Sequence, residues 1–367
     1  MAKILYGVAG EGFGHSSRSE LFGQRLIEAG HEVMFAASRK SHAYLEPLFG
    51  SRVWSVYGLR FYYRNGSVCP LRTLRDNLVG YRQGRRINRR LFSDHVRDFA
   101  PDLIISDFEP FTAWWAFRNR VPCLSIDHEH LLTLGDLDRI PGVSKERWMA
   151  KIVTRGYHTF ADAYLVLNFF QTSLRGNSAM LPPVVRPCVA QVKPEYGDHI
   201  VLYCTDSGTA IRDKIVGCLN QFDNQSFLVY GFDQDHRFGN CIMKKTNSTG
   251  FVRDLAASRG VIATAGFSLI SECLHFGKRM LLVPIKDQYE QIVNAYYIEK
   301  SGFGMRTESI TRQAVAMFLD TLADPLPQCT AILKPDNEQA VKIIDSCAAA
   351  AGVPLNLIDK PVLSSVI

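Results

Sequence analysis

Three features that would place this chain in a familiar class are missing. None of its nine cysteines belongs to a C-x-x-C pair, which argues against zinc sites and thioredoxin-type chemistry. No apolar stretch reaches ~18 residues, so we expect no membrane-spanning segment. The N-terminus also lacks the charged-then-apolar layout of a signal peptide. The scattered cysteines and the missing signal together predict a cytoplasmic protein.

A dinucleotide-binding fingerprint is missing as well. The apolar segment KILYGV (3–8) runs into glycines at 10, 12 and 14, and their G-x-G-x-G spacing misplaces the third glycine of G-x-G-x-x-G. The next predicted strand, EVMFAA, ends without the acidic residue expected to hold a ribose. No lysine follows the glycines, which excludes a P-loop. The glycine-rich turn therefore needs another explanation.

The composition is that of a soluble globular protein of about two domains. The chain has 367 residues, of which 47% are hydrophobic and 21% are charged. Its formal net charge is +6, which permits an anionic substrate or a membrane surface as partner without requiring either. Composition and net charge therefore do not indicate the function, and local motifs must do so.

Short apolar segments alternate with amphipathic stretches along the whole chain, a pattern typical of parallel sheets covered by helices. The predicted strands are 3–8, 32–37, 102–107, 122–127, 163–168, 200–205, 226–232, 261–266 and 279–285. A proline-rich segment divides the series into two similar α/β domains. We predict a first domain at 1–185, a linker at 186–199, a second domain at 200–350 and a tail at 351–367. One alternative for the tail is that it packs against the first domain.

The first glycine-rich turn brings a histidine to the end of a strand. His15 follows the turn in the first turn of a predicted helix, where a neutral imidazole can take a proton from a hydroxyl. Asp107 ends another strand at the same sheet edge and can orient the imidazole, and Glu109 is a second candidate. The alternatives are that His15 is a capping or surface histidine and that Asp107 caps the helix near Pro110.

The second half contains a candidate anion site. A strand ends at Gly266, and the helix that follows offers amide groups, a dipole and the hydroxyl of Ser268 to an anion. Glu272 lies one turn further, where it can accept hydrogen bonds from sugar hydroxyls. Offsets of three along the next helix predict that Gln288, Gln291 and Asn294 share one face.

The segments TAGFSLISE, LLVP, DQYEQ and NA resemble the donor-binding region of nucleotide-sugar glycosyltransferases of the GT-B fold. They are similar to the family of the peptidoglycan lipid-intermediate N-acetylglucosaminyltransferase and to family 1 glycosyltransferases. The resemblance implies two Rossmann-like parallel-sheet domains that face a cleft. It also implies donor-binding roles for Ser207, Gly208, Thr209, Val252, Gly266, Phe267, Ser268, Glu272, Asp287, Gln288 and Gln291.

Within that resemblance, Glu272 would bind the ribose hydroxyls, and Gly266, Phe267 and Ser268 would cradle the diphosphate. Asp287 and Gln288 would contact the transferred sugar, while Val252 would meet the base through its backbone. His15 matches the base histidine and Asp107 its acidic partner. Gly12 and Gly14 would then leave room for an acceptor.

The expected protein is an inverting transferase that moves a sugar from UDP or dTDP to an acceptor hydroxyl. We expect it to need no cofactor and no metal, because a helix N-terminus can stabilise the departing diphosphate. The alternatives are a sugar-nucleotide epimerase or hydrolase and a non-catalytic binding protein. The acceptor is a small molecule, a glycan or a lipid-linked sugar, and nucleic acid is not expected. The arginine-rich segment 57–97 is a candidate contact with an anionic membrane or an anionic acceptor, and the alternative is a solvated helix face.

Overall fold

The computed structural model describes residues 1–10, 12–58, 63–64, 67–68, 75, 84–157, 160–204, 208–351 and 355–357. The chain forms two compact units, Met1–Val184 together with Asp336–Ile367, and Val185–Pro335. Each unit has its own seven-stranded sheet. Among the described residues, no helix is both long and apolar enough to cross a bilayer.

The first unit is built on a parallel sheet in the order β3-β2-β1-β6-β7-β8-β9. Its strands are β1 Lys3–Val8, β2 Glu32–Ala37, β3 Val53–Ser55, β6 Leu103–Asp107, β7 Cys123–Asp127, β8 Ala163–Leu167 and β9 Ser178–Leu181, and a separate antiparallel pair is formed by β4 Tyr63–Arg64 and β5 Ser67–Val68. Its helices are Phe13–Glu28, Arg39–Phe49, residues 84–91 continued by a π-helical turn Phe92–Val96 and by Arg97–Phe99, Pro110–Asn119, Leu131–Leu134, Ser144–Tyr157 and Asn337–Ala349.

The second unit is parallel except at one edge, in the order β12-β13-β11-β10-β14-β15-β16. Its strands are β10 His199–Tyr203, β11 Ser226–Tyr230, β12 His236–Phe238, β13 Cys241–Lys244, β14 Gly260–Ala263, β15 Arg279–Leu282 and β16 Gly304–Arg306. Its helices are Pro187–Ala190, Thr209–Leu219, Ser248–Ala256, Phe267–His275, Tyr289–Lys300 and Arg312–Thr321. The prediction of two α/β domains with parallel sheets is confirmed.

Both faces of the first sheet are covered, which is why its central strands consist mainly of buried apolar residues. The helix Pro110–Asn119 contributes Ala113 and Ala116 to a core that includes Leu5, Ile104 and Phe92. In the second unit a comparable core forms around Ile200, Phe227 and Phe318. Apolar segments of this kind are the clearest indication of parallel strands in the sequence.

The domain boundaries differ from the predicted ones near the C-terminus. The helix Asn337–Ala349, which we assigned to the second domain, belongs to the first unit. It packs against the helix Phe13–Glu28, and Arg25 forms an ion pair with Glu338. His31 Nε2 lies 3.2 Å from an Asp345 carboxylate oxygen. The predicted linker 186–199 belongs to the second unit, because the division falls after Val184.

Candidate active site

Two strand ends of the first sheet place the predicted catalytic pair side by side. β1 and β6 are neighbours, and their register pairs Val8 with Asp107. The chain after Val8 makes a turn at Gly12, where φ is 81°, and the helix begins at Phe13. His15 is therefore the third residue of that helix, directly above the end of β6.

His15 and Asp107 are in contact, as the sequence predicted. His15 Nδ1 lies 2.6 Å from Asp107 Oδ1, and the Asp107 side chain is fully buried. An aspartate at this nitrogen accepts the Nδ1–H, fixes the tautomer and leaves Nε2 to face a substrate. The geometry is suited to a general base, while the role itself stays a prediction.

Arg18 is a third member of this group that sequence reasoning missed. Its guanidinium donates from Nε to Asp107 Oδ2 and from Nη2 to Asp107 Oδ1, each at 2.5 Å. Nη2 also lies 2.7 Å from His15 Nδ1. Arg18 follows His15 by one helical turn, a spacing that could have pointed to it. It neutralises a carboxylate that would otherwise be buried without a cation.

Glu129, also missed, contacts the other nitrogen of His15. Its Oε1 lies 3.3 Å from His15 Nε2, and its Oε2 accepts a hydrogen bond from the backbone N–H of His128 at 3.1 Å. The segment D-H-E-H begins at the last residue of β7, the strand beside β6, so its position at the same edge could have been inferred. Two carboxylates therefore flank one imidazole.

Burial and the neighbouring carboxylates shift the pKa of His15 in opposite directions. Burial lowers the pKa of the imidazole, while the carboxylates of Asp107 and Glu129 raise it and Arg18 lowers it. The net effect is a pKa above the ordinary value for histidine. Low pH therefore favours the protonated form, which cannot accept a proton from a substrate.

Glu109 does not orient His15. Its carboxylate caps the helix Pro110–Asn119 by accepting hydrogen bonds from the amides of Phe111 at 3.2 Å and Thr112 at 2.7 Å. The cap alternative that we considered for Asp107 is therefore wrong, because Glu109 occupies that position.

The glycines of the first turn differ in what they do. A Cβ on Gly10 would lie 2.3 Å from Ser38 Oγ and 2.8 Å from Ser38 O, so Gly10 is required for packing. A Cβ on Gly12 would meet nothing within 4 Å, although its positive φ favours glycine. Gly14 is the second residue of the helix and is partly buried. The space beside Gly12 is therefore open, while its role in leaving room for an acceptor stays a prediction.

In the second unit, the predicted anion site is a helix start without a side-chain cap. Gly266 precedes the helix Phe267–His275, and no side chain caps it. A Cβ on Gly266 would meet nothing within 4 Å, and Ser268 in the first turn is partly exposed. A helix start of this kind can bind an anion through its amides and its dipole.

Glu272 is already paired in this structure. Arg186, which the sequence reasoning did not single out, donates from Nε to Glu272 Oε1 at 2.7 Å and from Nη2 to Oε2 at 3.0 Å. Burial raises the pKa of Glu272, and the arginine partly offsets that rise. Ribose hydroxyls would have to share these oxygens with Arg186 or displace it.

The predicted polar face of the next helix is only partly open. Gln288 precedes the helix Tyr289–Lys300 as its cap residue instead of lying on its face. Gln291 accepts from the amide of Ile285 and donates to Gln288 Oε1, both at 3.0 Å. Asn294 is buried and donates to the carbonyl of Ala265 at 3.0 Å. The side-chain amides of Gln291 and Asn294 therefore connect this helix to the loops that follow β15 and β14.

The remaining predicted donor residues fall in different environments. Asp287 is exposed in a left-handed conformation with φ 65°, and Gly208 and Thr209 are exposed at the start of the helix Thr209–Leu219. Ser207 lies outside the described residues. Val252 lies in the second turn of the helix Ser248–Ala256 with its side chain buried. No described group of three or more histidine, cysteine, aspartate or glutamate side chains is arranged to hold a metal ion.

The fold is that of GT-B glycosyltransferases: the chain superposes on the glycotransferase of kitacinnamycin with a TM-score of 0.61 at 14% identity, covering 96% of both chains. It superposes on MurG of Acinetobacter baumannii with a TM-score of 0.57 at 12% identity, covering 95% of this chain and 100% of MurG. The predicted GT-B fold is confirmed.

Residues 2–323 match glycosyl transferase family 1, and the chain belongs to that family. An uncharacterized glycosyltransferase of Methanosarcina acetivorans is 25% identical over 327 residues, which cover 82% of this chain and 84% of the relative. One from Methanosarcina mazei is 25% identical over 335 residues, with the same coverage of both chains. The protein is therefore a glycosyltransferase that uses a nucleotide-sugar donor and an acceptor.

Proposed function

We propose that the protein is an inverting glycosyltransferase that moves a sugar from UDP or dTDP to an acceptor hydroxyl, with His15 as the general base. The observation that supports this most is the 2.6 Å contact between His15 Nδ1 and Asp107 at the carboxyl edge of the first sheet. Ligands of open parallel sheets bind at this edge. The acceptor is a small molecule, a glycan or a lipid-linked sugar.

In the proposed reaction, the acceptor oxygen attacks the anomeric carbon and the bond from that carbon to the diphosphate oxygen breaks. The acceptor proton passes to His15 Nε2, and the nucleoside diphosphate leaves with the bonding electrons. A single displacement of this kind inverts the anomeric configuration. Asp107 stabilises the imidazolium that forms. Glu129 must give up its contact with Nε2, or share it, when the acceptor hydroxyl binds.

The donor half of the proposal uses the helix start at Gly266. First-turn amides and the hydroxyl of Ser268 would receive the charge that develops on the departing diphosphate. Glu272 would accept hydrogen bonds from the ribose, and Asp287 and Gln288 would contact the transferred sugar. We propose that no metal takes part, since the amides and the dipole supply the stabilisation.

The test begins with the donor, because it needs no knowledge of the acceptor. A thermal-shift panel of UDP, dTDP, GDP and their sugars should show stabilisation by UDP or dTDP. If no nucleoside diphosphate stabilises the protein, the proposal fails.

The second stage separates binding from catalysis. His15→Ala should keep the nucleotide-induced shift and lose sugar transfer, whereas His236→Ala, at an exposed position of β12, should keep both. Conversion of a UDP-sugar into an isomer without acceptor would instead identify an epimerase. Binding without turnover in the wild type across a broad acceptor panel would favour a binding protein.

A further inference from the structure

Three helices of the first unit form one layer on the same face of its sheet. The helix Pro110–Asn119 connects β6 to its neighbour β7, and Ser144–Tyr157 lies in the connection from β7 to its neighbour β8. Right-handed crossovers that advance in the same direction place both helices on one face. The helix of residues 84–99 joins them, since the rings of Phe92 and Trp115 stack at 6.2 Å. We call these three helices the basic helix layer.

The outer surface of this layer exposes large apolar side chains. Trp148 and Phe117 are 63% and 61% exposed, and Ile152 lies one turn after Trp148 on the same side of its helix. Phe160, which follows the helix Ser144–Tyr157, packs on Phe117 with ring centroids 5.1 Å apart. Further exposed apolar residues of the layer are Ile87, Trp114 and Val153. Apolar groups concentrated on one surface indicate an interaction site.

The same layer carries an uncompensated positive charge. Its three helices contain ten lysines and arginines against three acidic residues, a balance of +7, which exceeds the +6 of the whole chain. The cations are Arg85, Arg86, Arg89, Arg90, Arg97, Arg118, Lys145, Arg147, Lys151 and Arg155, and the acids are Asp94, Asp98 and Glu146.

These cations lie close to an exposed aromatic ring and influence one another. The guanidinium of Arg118 lies 5.5 Å from the centre of the Trp114 ring. Partial burial and the neighbouring cations Arg147 and Arg155 lower the pKa of Lys151. Cations that crowd each other in this way attract an anionic partner.

Exposed tryptophan, phenylalanine and aliphatic side chains beside lysine and arginine are the combination found where proteins lie on anionic bilayers. Indole rings sit at the headgroup level, aliphatic groups enter the acyl boundary, and cations contact phosphate headgroups. A nucleic acid would not account for the exposed Ile152 and Val153. We propose that the basic helix layer docks the protein on an anionic lipid surface. This inference does not depend on the proposed function. The exposed tryptophan and phenylalanine side chains lie outside the predicted segment 57–97, while half of the cations lie within it.

The test uses the full chain and vesicles of two compositions. The protein should co-sediment with vesicles in which about a third of the lipid is phosphatidylglycerol, and only weakly with pure phosphatidylcholine. The triple variant Arg147→Gln, Lys151→Gln, Arg155→Gln should weaken this binding by about two orders of magnitude, if each cation contributes its usual share. Raising the salt concentration should also release the wild type.

A second variant tests the apolar contribution. Trp148→Ser should reduce binding to the anionic vesicles, whereas the control Met317→Ser, at an exposed apolar position of the second unit, should not. Circular dichroism and melting curves establish that each variant is folded. Equal binding to both lipids, no binding to anionic vesicles, or wild-type binding by the triple variant would overturn the proposal. Wild-type dimers that Trp148→Ser disperses, without vesicle binding, would show that a second copy covers this surface instead.

Discussion

The buried ion pair between Arg18 and Asp107 should decide the stability of the first unit. Both side chains are almost fully out of solvent, and Asp107 accepts two hydrogen bonds from the guanidinium. Arg18→Met keeps much of the volume of the side chain but leaves a buried carboxylate without its main cation. Breaking a buried pair by removing one partner costs about 3–5 kcal/mol. A loss of this size is a large part of the total stability of a typical domain, about 5–15 kcal/mol.

The sequence offers a convenient assay for that loss. The four tryptophans, Trp54, Trp114, Trp115 and Trp148, all lie in the first unit, so tryptophan fluorescence during urea unfolding reports on that unit alone. The matched control is Arg25→Met on the same helix, because the partly exposed Arg25 pairs with the exposed Glu28 and Glu338.

The two substitutions should differ clearly. The control should lower the free energy of unfolding by less than about 1 kcal/mol, since surface pairs contribute little. If Arg18→Met lowers it no more than the control does, the assignment of Arg18 as the cation that stabilises buried Asp107 is refuted. In that case the His15 environment would need another explanation.

Three further predictions concern the candidate site. Glu129→Gln removes one of the two carboxylates that raise the pKa of His15, so the acid limb of the pH–rate profile should move to lower pH; an unchanged limb would mean that Glu129 does not act on the base. Glu272→Ala should weaken UDP binding about tenfold to a hundredfold by calorimetry, the usual effect of losing hydrogen bonds to a charged group; unchanged affinity would exclude the ribose contact. Gly10→Ala should destabilise the first unit by about 1–3 kcal/mol in urea unfolding because of its clash with Ser38, whereas Gly266→Ala, with open space at its Cβ, should leave stability unchanged and weaken nucleotide binding; equal effects of the two glycine variants on stability would contradict this reasoning.

The fold was accessible from the sequence because its central strands are buried on both faces. Segments such as KILYGV and EVMFAA are apolar after their first residue, and they form β1 and β2 with the predicted bounds. Seven other strands, β3, β4, β5, β9, β12, β13 and β16, went unpredicted. They are only two to four residues long, and the mixed burial of β3, β9, β12, β13 and β16 gives no continuous apolar segment like those at the equally short β14 and β15.

The sequence by itself determined that His15 and Asp107 would share a sheet edge, since carboxyl ends of parallel strands meet there. It could not determine which charges surround them. Arg18 reaches an aspartate 89 positions away, and Arg186 reaches a glutamate 86 positions away. Such contacts depend on strand register and on the conformations of long side chains, which only the packed tertiary structure fixes. The same holds for the helix Asn337–Ala349. It belongs to the first unit because of the surface against which it packs, which the sequence alone does not reveal.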